Sequence, residues 1–163
     1  MIFNPSLPTS YEYIHYTHED LAALDLNRTY TQTVKNLAQN TPNGLWLSIT
    51  GLHDWEKYAI KNSLNPIDFK HEFLVELKPA AKILVLYNIA LFEDFKKKYG
   101  YFSEQGRRVF LIHWEEIVKD YQGISFPHLY PEHCNMLLWQ RLLCCTSACI
   151  WDLQAVETIV KLK

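Results

Sequence analysis

Apolar and polar residues alternate, or form short apolar runs, in several segments of the chain, and this pattern predicts β-strands. The predicted strands cover residues 11–16, 44–49, 72–77, 82–87, 123–126, 148–151 and 158–162. The Lys-Pro-Ala-Ala segment at 78–81 predicts a turn between the third and fourth strands. A shorter apolar run covers residues 109–112.

Other segments repeat apolar residues at helical spacing. They predict helices over residues 18–24, 53–59, 89–99, 114–121 and 135–143. Thr17 is a suitable N-cap for the first of these helices. Strands and helices neither alternate strictly nor form separate blocks, so we expect a mixed α+β fold.

The organisation along the chain is simple. Residues 1–10 contain two Pro and two Ser, and predict a flexible lead-in. Residues 25–43, rich in Asn, Thr and Gln, are the longest candidate loop, with one helical turn expected near 34–37. No repeat or boundary divides the remainder, which predicts a single domain over residues 11–163.

Composition and charge restrict the function classes. The chain has 163 residues, 48% of them hydrophobic and 21% charged, as is usual for a globular protein. Its net charge of -2 argues against a nucleic-acid partner, which usually requires a basic excess. The apolar runs are too short for membrane helices, and the N-terminus lacks the pattern of a Sec-type signal peptide. We therefore expect a soluble protein of the cytoplasm, its own or that of a target cell.

Histidine and cysteine gather late in the chain but have irregular spacing. A zinc site usually needs paired ligands separated by two to four residues, and only Cys145 and Cys149 have a helix-like spacing. His133 is a poor base for Cys134, because adjacent side chains of an extended segment point in opposite directions. No metal site is therefore expected. With five glycines, the chain also has no glycine-rich phosphate-binding loop.

The first two predicted strands carry polar groups among apolar ones. On the first strand, His15 lies on one face, and Ile14 and Tyr16 lie on the other. On the second strand, Gly44, Trp46 and Ser48 share a face. Such a face can admit a planar ligand and form a hydrogen bond with it.

These residues resemble a known family. Tyr-x-His-Tyr-Thr at 13–17, followed by Gly-Leu-Trp-x-Ser at 44–48, is similar to the NAD-binding half of the ADP-ribosyltransferase fold. Later segments follow the order of small bacterial and phage members, including effector-like or toxin-like proteins: a Trp-bearing helix, paired strands, Tyr-x-Gly-Ile at 121–124 and Ser-x-x-Ile-Trp at 147–151. The resemblance covers about residues 11–160. It implies two small, mostly antiparallel sheets around a cleft, with flanking helices.

The resemblance also implies roles for individual residues. His15 would form a hydrogen bond with a ribose of NAD, and Tyr16 or Trp46 would flank the nicotinamide. Ser48 would position the ribose or the catalytic acid. The full set of cofactor-binding residues that the resemblance implies is His15, Tyr16, Thr17, Gly44, Trp46 and Ser48.

Catalysis in this family uses a glutamate at the start of a late strand, because positive charge develops on the ribose as nicotinamide leaves. Here that place is occupied by Thr146, and Gln122 stands where relatives often have Asp. Glu157 is the best substitute for the acid, followed by Asp152 and Glu132.

Two functions follow from the resemblance. In the first, the protein transfers ADP-ribose from NAD to a protein acceptor, or hydrolyses NAD. In the alternative, it is a catalytically inactive relative that binds a protein partner, through aromatic residues such as Tyr101 and Phe102.

Overall fold

Strands dominate the structure. The computed structural model describes residues 11–21, 24–32, 40–51, 53–63, 70–103, 109–128 and 145–163. The strands in these ranges are β1 (Tyr13–Thr17), β2 (Leu45–Ile49), β3 (His71–Leu77), β4 (Ile83–Val85), β5 (Gly100–Phe102), β6 (Phe110–Ile112), β7 (Gly123–Phe126), β8 (Ser147–Ile150) and β9 (Val156–Lys161). The α-helices are α1 (Trp55–Lys61), α2 (Ile89–Tyr99) and α3 (Trp114–Ile117), and a 3₁₀ turn covers Leu153–Ala155.

Seven of these strands form one curled sheet in the order β4-β7-β8-β2-β1-β3-β9. All neighbours are antiparallel except β4 and β7, which are parallel and are separated in the chain by α2, β5, β6 and α3. β5 and β6 form a separate two-stranded ribbon. The α+β class is confirmed. The arrangement differs from the two small sheets expected, because β2 pairs with β8 as well as with β1 and so joins seven strands in one sheet.

The two faces of the sheet bury different cores, because successive side chains of a strand point to opposite faces. One face packs against α2 and α3, and its core includes Ile124, Cys149 and Phe95. The other face lines the inside of the curl, with Leu47, Ala148 and other residues.

β8 is buried on both faces. Its four residues, Ser147–Ile150, are all buried, and they pair with β2 on one side and β7 on the other. Two glycines stand beside it. A Cβ at Gly44 would lie 2.6 Å from the carbonyl oxygen of Ile150, and a Cβ at Gly123 would lie 2.9 Å from that of Cys149. Glycine at these positions allows the backbones to approach closely.

Several sequence predictions are confirmed with shifted ends. The predicted strand 158–162 begins earlier, as β9 at Val156, and the predicted strand 82–87 is shortened to Ile83–Val85. The predicted helix 114–121 ends as an α-helix at Ile117. β5 was not expected; Gly100 is the C-cap of α2, and its extended φ and ψ of -88° and 149° let the chain continue directly into β5.

The predicted helix over residues 18–24 is wrong for the part that the structure describes. Residues 18–20 form no helix, and residue 21 is 3₁₀ rather than α-helical. The Thr17 hydroxyl accepts a hydrogen bond from the Glu19 amide at 3.1 Å, which closes a local turn instead of a helical one. The predictions for residues 1–10, 34–37 and 135–143 lie outside the described residues.

We predict that Gly44→Ala destabilises the fold by about 1–3 kcal/mol, because the added methyl group meets the backbone of β8. The matched control is Gly51→Ala, since a Cβ at Gly51 meets nothing within 4 Å. The control should leave stability unchanged or raise it by up to about 1 kcal/mol. Urea unfolding of both variants measures the difference, and equal midpoints would contradict the steric account.

Candidate functional site

The backbone pairing between β1 and β2 is short. Only Tyr13 with Ile49 and Ile14 with Ser48 are paired, although both strands continue beyond these residues. On its other side, β1 pairs with β3 over all five residues. The ladder between β1 and β2 therefore ends at the position of His15.

At this position a side chain continues the connection. The Nδ1 atom of His15 lies 2.7 Å from the carbonyl oxygen of Trp46. A carbonyl can only accept a hydrogen bond, so Nδ1 carries the proton and Nε2 is the acceptor nitrogen of the neutral ring. Burial lowers the pKa of His15 below its ordinary value, against the opposing effect of this hydrogen bond. Nε2 of the neutral ring is thus suited to accept a hydrogen bond from a hydroxyl group.

The predicted binding residues lie on two faces of the sheet. Because Ile14 pairs with Ser48, the period of two places Tyr16, Trp46 and Ser48 on one face. Their face is the one that packs against α2 and α3 farther along the sheet, and Trp46 contacts that core. His15 pairs with Phe73 on the opposite face. The structure therefore brings together Tyr16, Trp46 and Ser48, and places His15 at the edge where the ladder ends.

Tyr16 is surrounded by carboxylates. Burial, together with the negative charges of Glu56, Glu72 and Asp54, raises the pKa of Tyr16 to about 12. Glu72 pairs directly with Tyr16 across β1 and β3, and Glu56 lies in the first turn of α1. The sequence alone did not identify Glu56 and Glu72, since the register between β1 and β3 decides their position. Tyr16 stays a neutral hydrogen-bond donor at physiological pH.

Ser48 has a structural partner. Its hydroxyl oxygen accepts a hydrogen bond from the Trp55 amide at 2.9 Å, at the start of α1. Asp54 is the N-cap of the same helix and accepts from the Lys57 amide at 2.9 Å. Burial would raise the pKa of Asp54, but hydrogen bonds from Lys57 and Gly51 hold it below its ordinary value. Ser48 and Asp54 thereby attach α1 to the face that carries Tyr16.

The position expected for the catalytic acid has a structural role. Thr146 is buried, and its hydroxyl donates to the Ile49 carbonyl at 2.9 Å. Its backbone carbonyl accepts from the Ile49 amide at 3.0 Å. Thr146 thus extends the pairing of β8 with β2 by one residue before Ser147, the first residue of β8.

Glu157, the predicted substitute, is exposed on β9. β9 is two strands away from β1, which is about 10 Å of sheet width. Glu157 also lies near the end of the sheet that contains Leu77, whereas His15 pairs with Phe73 toward the other end of β3. The structure does not bring Glu157 close to His15. Glu132 lies outside the described residues.

Gln122 and Asp152 lie at a separate cavity of about 630 Å³, whose walls include Tyr30, Tyr121 and Trp151. The Gln122 amide group donates to Asp152 at 2.9 Å and its oxygen accepts from the Lys82 amide at 3.1 Å. The other Asp152 oxygen caps the 3₁₀ turn at the Gln154 amide. Neither His15 nor Tyr16 lines this cavity. The candidate site is instead the end of the β1–β2 ladder, where these two residues lie.

The environment of Cys149 does not favour a reactive thiolate. Cys149 is fully buried between β2 and β7, and this burial raises the pKa of its thiol well above the ordinary value. Among the described residues, no group of three or more His, Cys, Asp or Glu side chains is placed to hold a metal ion. His133, Cys134 and Cys144 lie outside those residues.

No helix within the described ranges is both long enough and apolar enough to cross a membrane. Comparison of the chain with protein-family models, with curated proteins and with solved structures gives no match.

We predict that the His15 ring makes stability depend on pH. Because its pKa is lower in the folded state than the ordinary 6.5, the unfolded state binds the proton more readily. The stabilisation is complete above about pH 6.5 and is lost as the pH falls toward the folded-state value. The free energy of unfolding of the wild type, minus that of His15→Gln, should decrease between about pH 7.5 and about pH 5.

Urea unfolding at a series of pH values provides this measurement. The matched control is His53→Gln, because His53 is exposed, and this variant should retain the wild-type profile. Parallel profiles for the wild type and His15→Gln would show that the ring does not respond to burial in this way.

Proposed function

We propose that the protein binds NAD at the end of the β1–β2 ladder and acts as an ADP-ribosyltransferase-like enzyme. It would transfer ADP-ribose from NAD to a protein acceptor or hydrolyse NAD. The observation that carries the proposal is the replacement of the backbone ladder by the His15–Trp46 hydrogen bond, next to the Tyr16 and Trp46 side chains. Beyond Ile14 and Ser48, the backbone groups of β1 and β2 are not paired with each other in a ladder, so they are candidate partners for a ligand.

The groups at this place suit the parts of NAD. Nε2 of His15 is an acceptor for a ribose hydroxyl, and burial keeps the ring neutral. Tyr16 and Trp46 supply aromatic surface for the nicotinamide, and Tyr16 keeps its hydroxyl proton as a donor. Thr17 and Gly44 lie at the same end of β1 and β2.

The chemistry requires a carboxylate near the ribose carbon from which nicotinamide leaves, because that carbon becomes positively charged. Thr146 cannot supply the charge. Glu157 is the acid expected from the sequence, but it lies on β9, two strands away from β1, whereas Glu72 is the candidate from the geometry, since it pairs with Tyr16. Glu56 and Glu72 both act on the Tyr16 hydroxyl through their charges. Substitution of Glu72 and of Glu157, described below, shows which of the two carboxylates is the acid.

We predict that NAD raises the unfolding temperature of the wild type, and that the protein releases nicotinamide or transfers labelled ADP-ribose to proteins of a cell lysate. His15→Ala should weaken NAD binding about tenfold, because one buried hydrogen bond is lost. His53→Ala, at an exposed position, is the control. Circular dichroism verifies that each variant is folded.

Glu72→Gln and Glu157→Gln then identify the acid. The variant that lacks it should bind NAD about as well as the wild type but lose most nicotinamide release. If NAD gives no thermal shift, no nicotinamide release and no label transfer with the wild type, the proposed function is wrong.

The alternative is an inactive relative that binds a protein partner. It is favoured by the hydrogen-bonded, buried Thr146 at the place of the acid, and by the aromatic ribbon of β5 and β6. Tyr101 stacks on His113 with ring centres 3.9 Å apart, whereas Phe102 is 40% exposed. Phe102 is therefore the better contact for a partner.

Under this alternative, Phe102→Ala should release a partner that the wild type retains in a pull-down, with no effect of NAD. Tyr87→Ala is a matched control, because Tyr87 is also an aromatic residue with 40% exposure but lies outside the ribbon. Retention of the same partner by Phe102→Ala would exclude this surface.

A further inference from the structure

Within the described part of the chain, β9 is an edge strand whose outer side pairs with no other strand. It is the last strand in the order of the sheet, and no described segment pairs with its outer edge. Such edges expose backbone donors and acceptors that can pair with another strand. The β9 edge also carries exposed apolar side chains, since Val160 is 48% exposed and the adjoining Leu162 is 54% exposed.

The register with β3 shows which residues of β9 face outward. The Leu162 amide donates to the Glu72 carbonyl at 2.8 Å, so residue 162 is bonded to β3. Hydrogen-bonded positions alternate along an antiparallel ladder. The amide and carbonyl groups of Ile159 and Lys161 therefore point away from β3, toward the open edge.

The sequence of β9 is complementary to itself in one antiparallel register. If Ile159 lies opposite Ile159 of a second copy, Glu157 lies opposite Lys161 of that copy, and Lys161 lies opposite its Glu157. Both charged side chains are exposed on β9. Opposite charges directly across two strands are stabilising, and like charges are destabilising.

From this complementarity we propose that two copies of the protein associate through β9, in an antiparallel pair centred on Ile159. The second copy continues the sheet with two-fold symmetry, so each copy uses the same surface and the assembly closes at two. In this pair, Ile159 and Lys161 form backbone hydrogen bonds across the axis. Val160 faces Thr158 of the second copy.

A bulge limits the pairing. The register of β9 against β3 shifts between Glu76 and Leu77, next to Val156. Bulges bend a strand and end regular pairing at sheet edges. The self-paired segment is thus confined to about residues 157–161, which favours a weak, reversible dimer over extended aggregation.

The only described ion pair of Lys161 joins it to Asp20, at 3.6 Å between exposed side chains. An exposed pair of this kind contributes little to stability. Lys161 can therefore turn to Glu157 of the second copy at small cost. The inference does not depend on the proposed function, because it rests on the edge of β9 and its charges, and association is measured without NAD.

The test uses sedimentation equilibrium of the wild type, E157K, K161E and the double variant E157K/K161E over a range of protein concentrations. The wild type should show a monomer–dimer equilibrium. Each single variant places two like-charged pairs across the axis and should weaken the dimer at least about tenfold. The double variant should restore it, because both pairs again have opposite charges.

An equimolar mixture of E157K and K161E gives the sharpest comparison. In the mixed dimer, both pairs have opposite charges, so it should form where each variant alone is monomeric. Circular dichroism shows that the exposed substitutions leave the fold intact. Amide exchange at Ile159 and Lys161 should slow as the wild-type concentration rises, while that at Val160 stays constant.

Three results would overturn the proposal. The first is a wild type that is monomeric at every concentration. The second is a single variant that associates as tightly as the wild type, and the third is a mixture that associates no better than its components.

Discussion

The pairing of β8 with β2 and β7 is the interaction on which the rest of the structure depends. β8 is buried on both faces, so its backbone groups can be satisfied only by neighbouring strands. Its side chains alternate between two cores: Ala148 contributes to the inside of the curl, and Cys149 to the core under α2 and α3. Gly44 and Gly123 let both neighbours approach its backbone. The two halves of the sheet therefore form one unit, and β2, which carries Trp46 and Ser48 of the candidate site, belongs to it.

β1 is held in the sheet mainly by β3, because it has five residue pairs with β3 and two with β2. The side chain of His15 contributes the contact that the backbone does not make. A single imidazole thus has two consequences. It bridges β1 and β2 where their ladder ends, and its partial burial lowers its pKa, so the structure of the site and its response to pH have the same cause.

Local patterns in the sequence predicted most strands, because alternation along one segment depends only on that segment. β7 was predicted at residues 123–126 and is Gly123–Phe126. Pairing between strands that are far apart in the sequence decides which residues become neighbours, and local patterns do not show this pairing. His15, Tyr16, Trp46 and Ser48 lie on the two strands predicted for them, but the opposite faces of His15 and Trp46 follow from the register of β1 with β2 and β3. The carboxylate of Glu72 became part of the site for the same reason.

Thr146 shows how binding and chemistry are linked in this chain. Its hydroxyl satisfies the Ile49 carbonyl, and its amide donates to the His53 carbonyl at 2.7 Å. A carboxylate at this buried position would lose the hydroxyl's hydrogen bond and bring an unpaired charge out of water, which is costly. Under the proposed function, the negative charge must therefore come from another element. Glu72 on β3 and Glu56 on α1 act on Tyr16, so a ribose reaches a carboxylate only if it lies along the Tyr16 face. Under the proposed function, the orientation of a bound nucleotide would thus decide whether the site can catalyse or only bind.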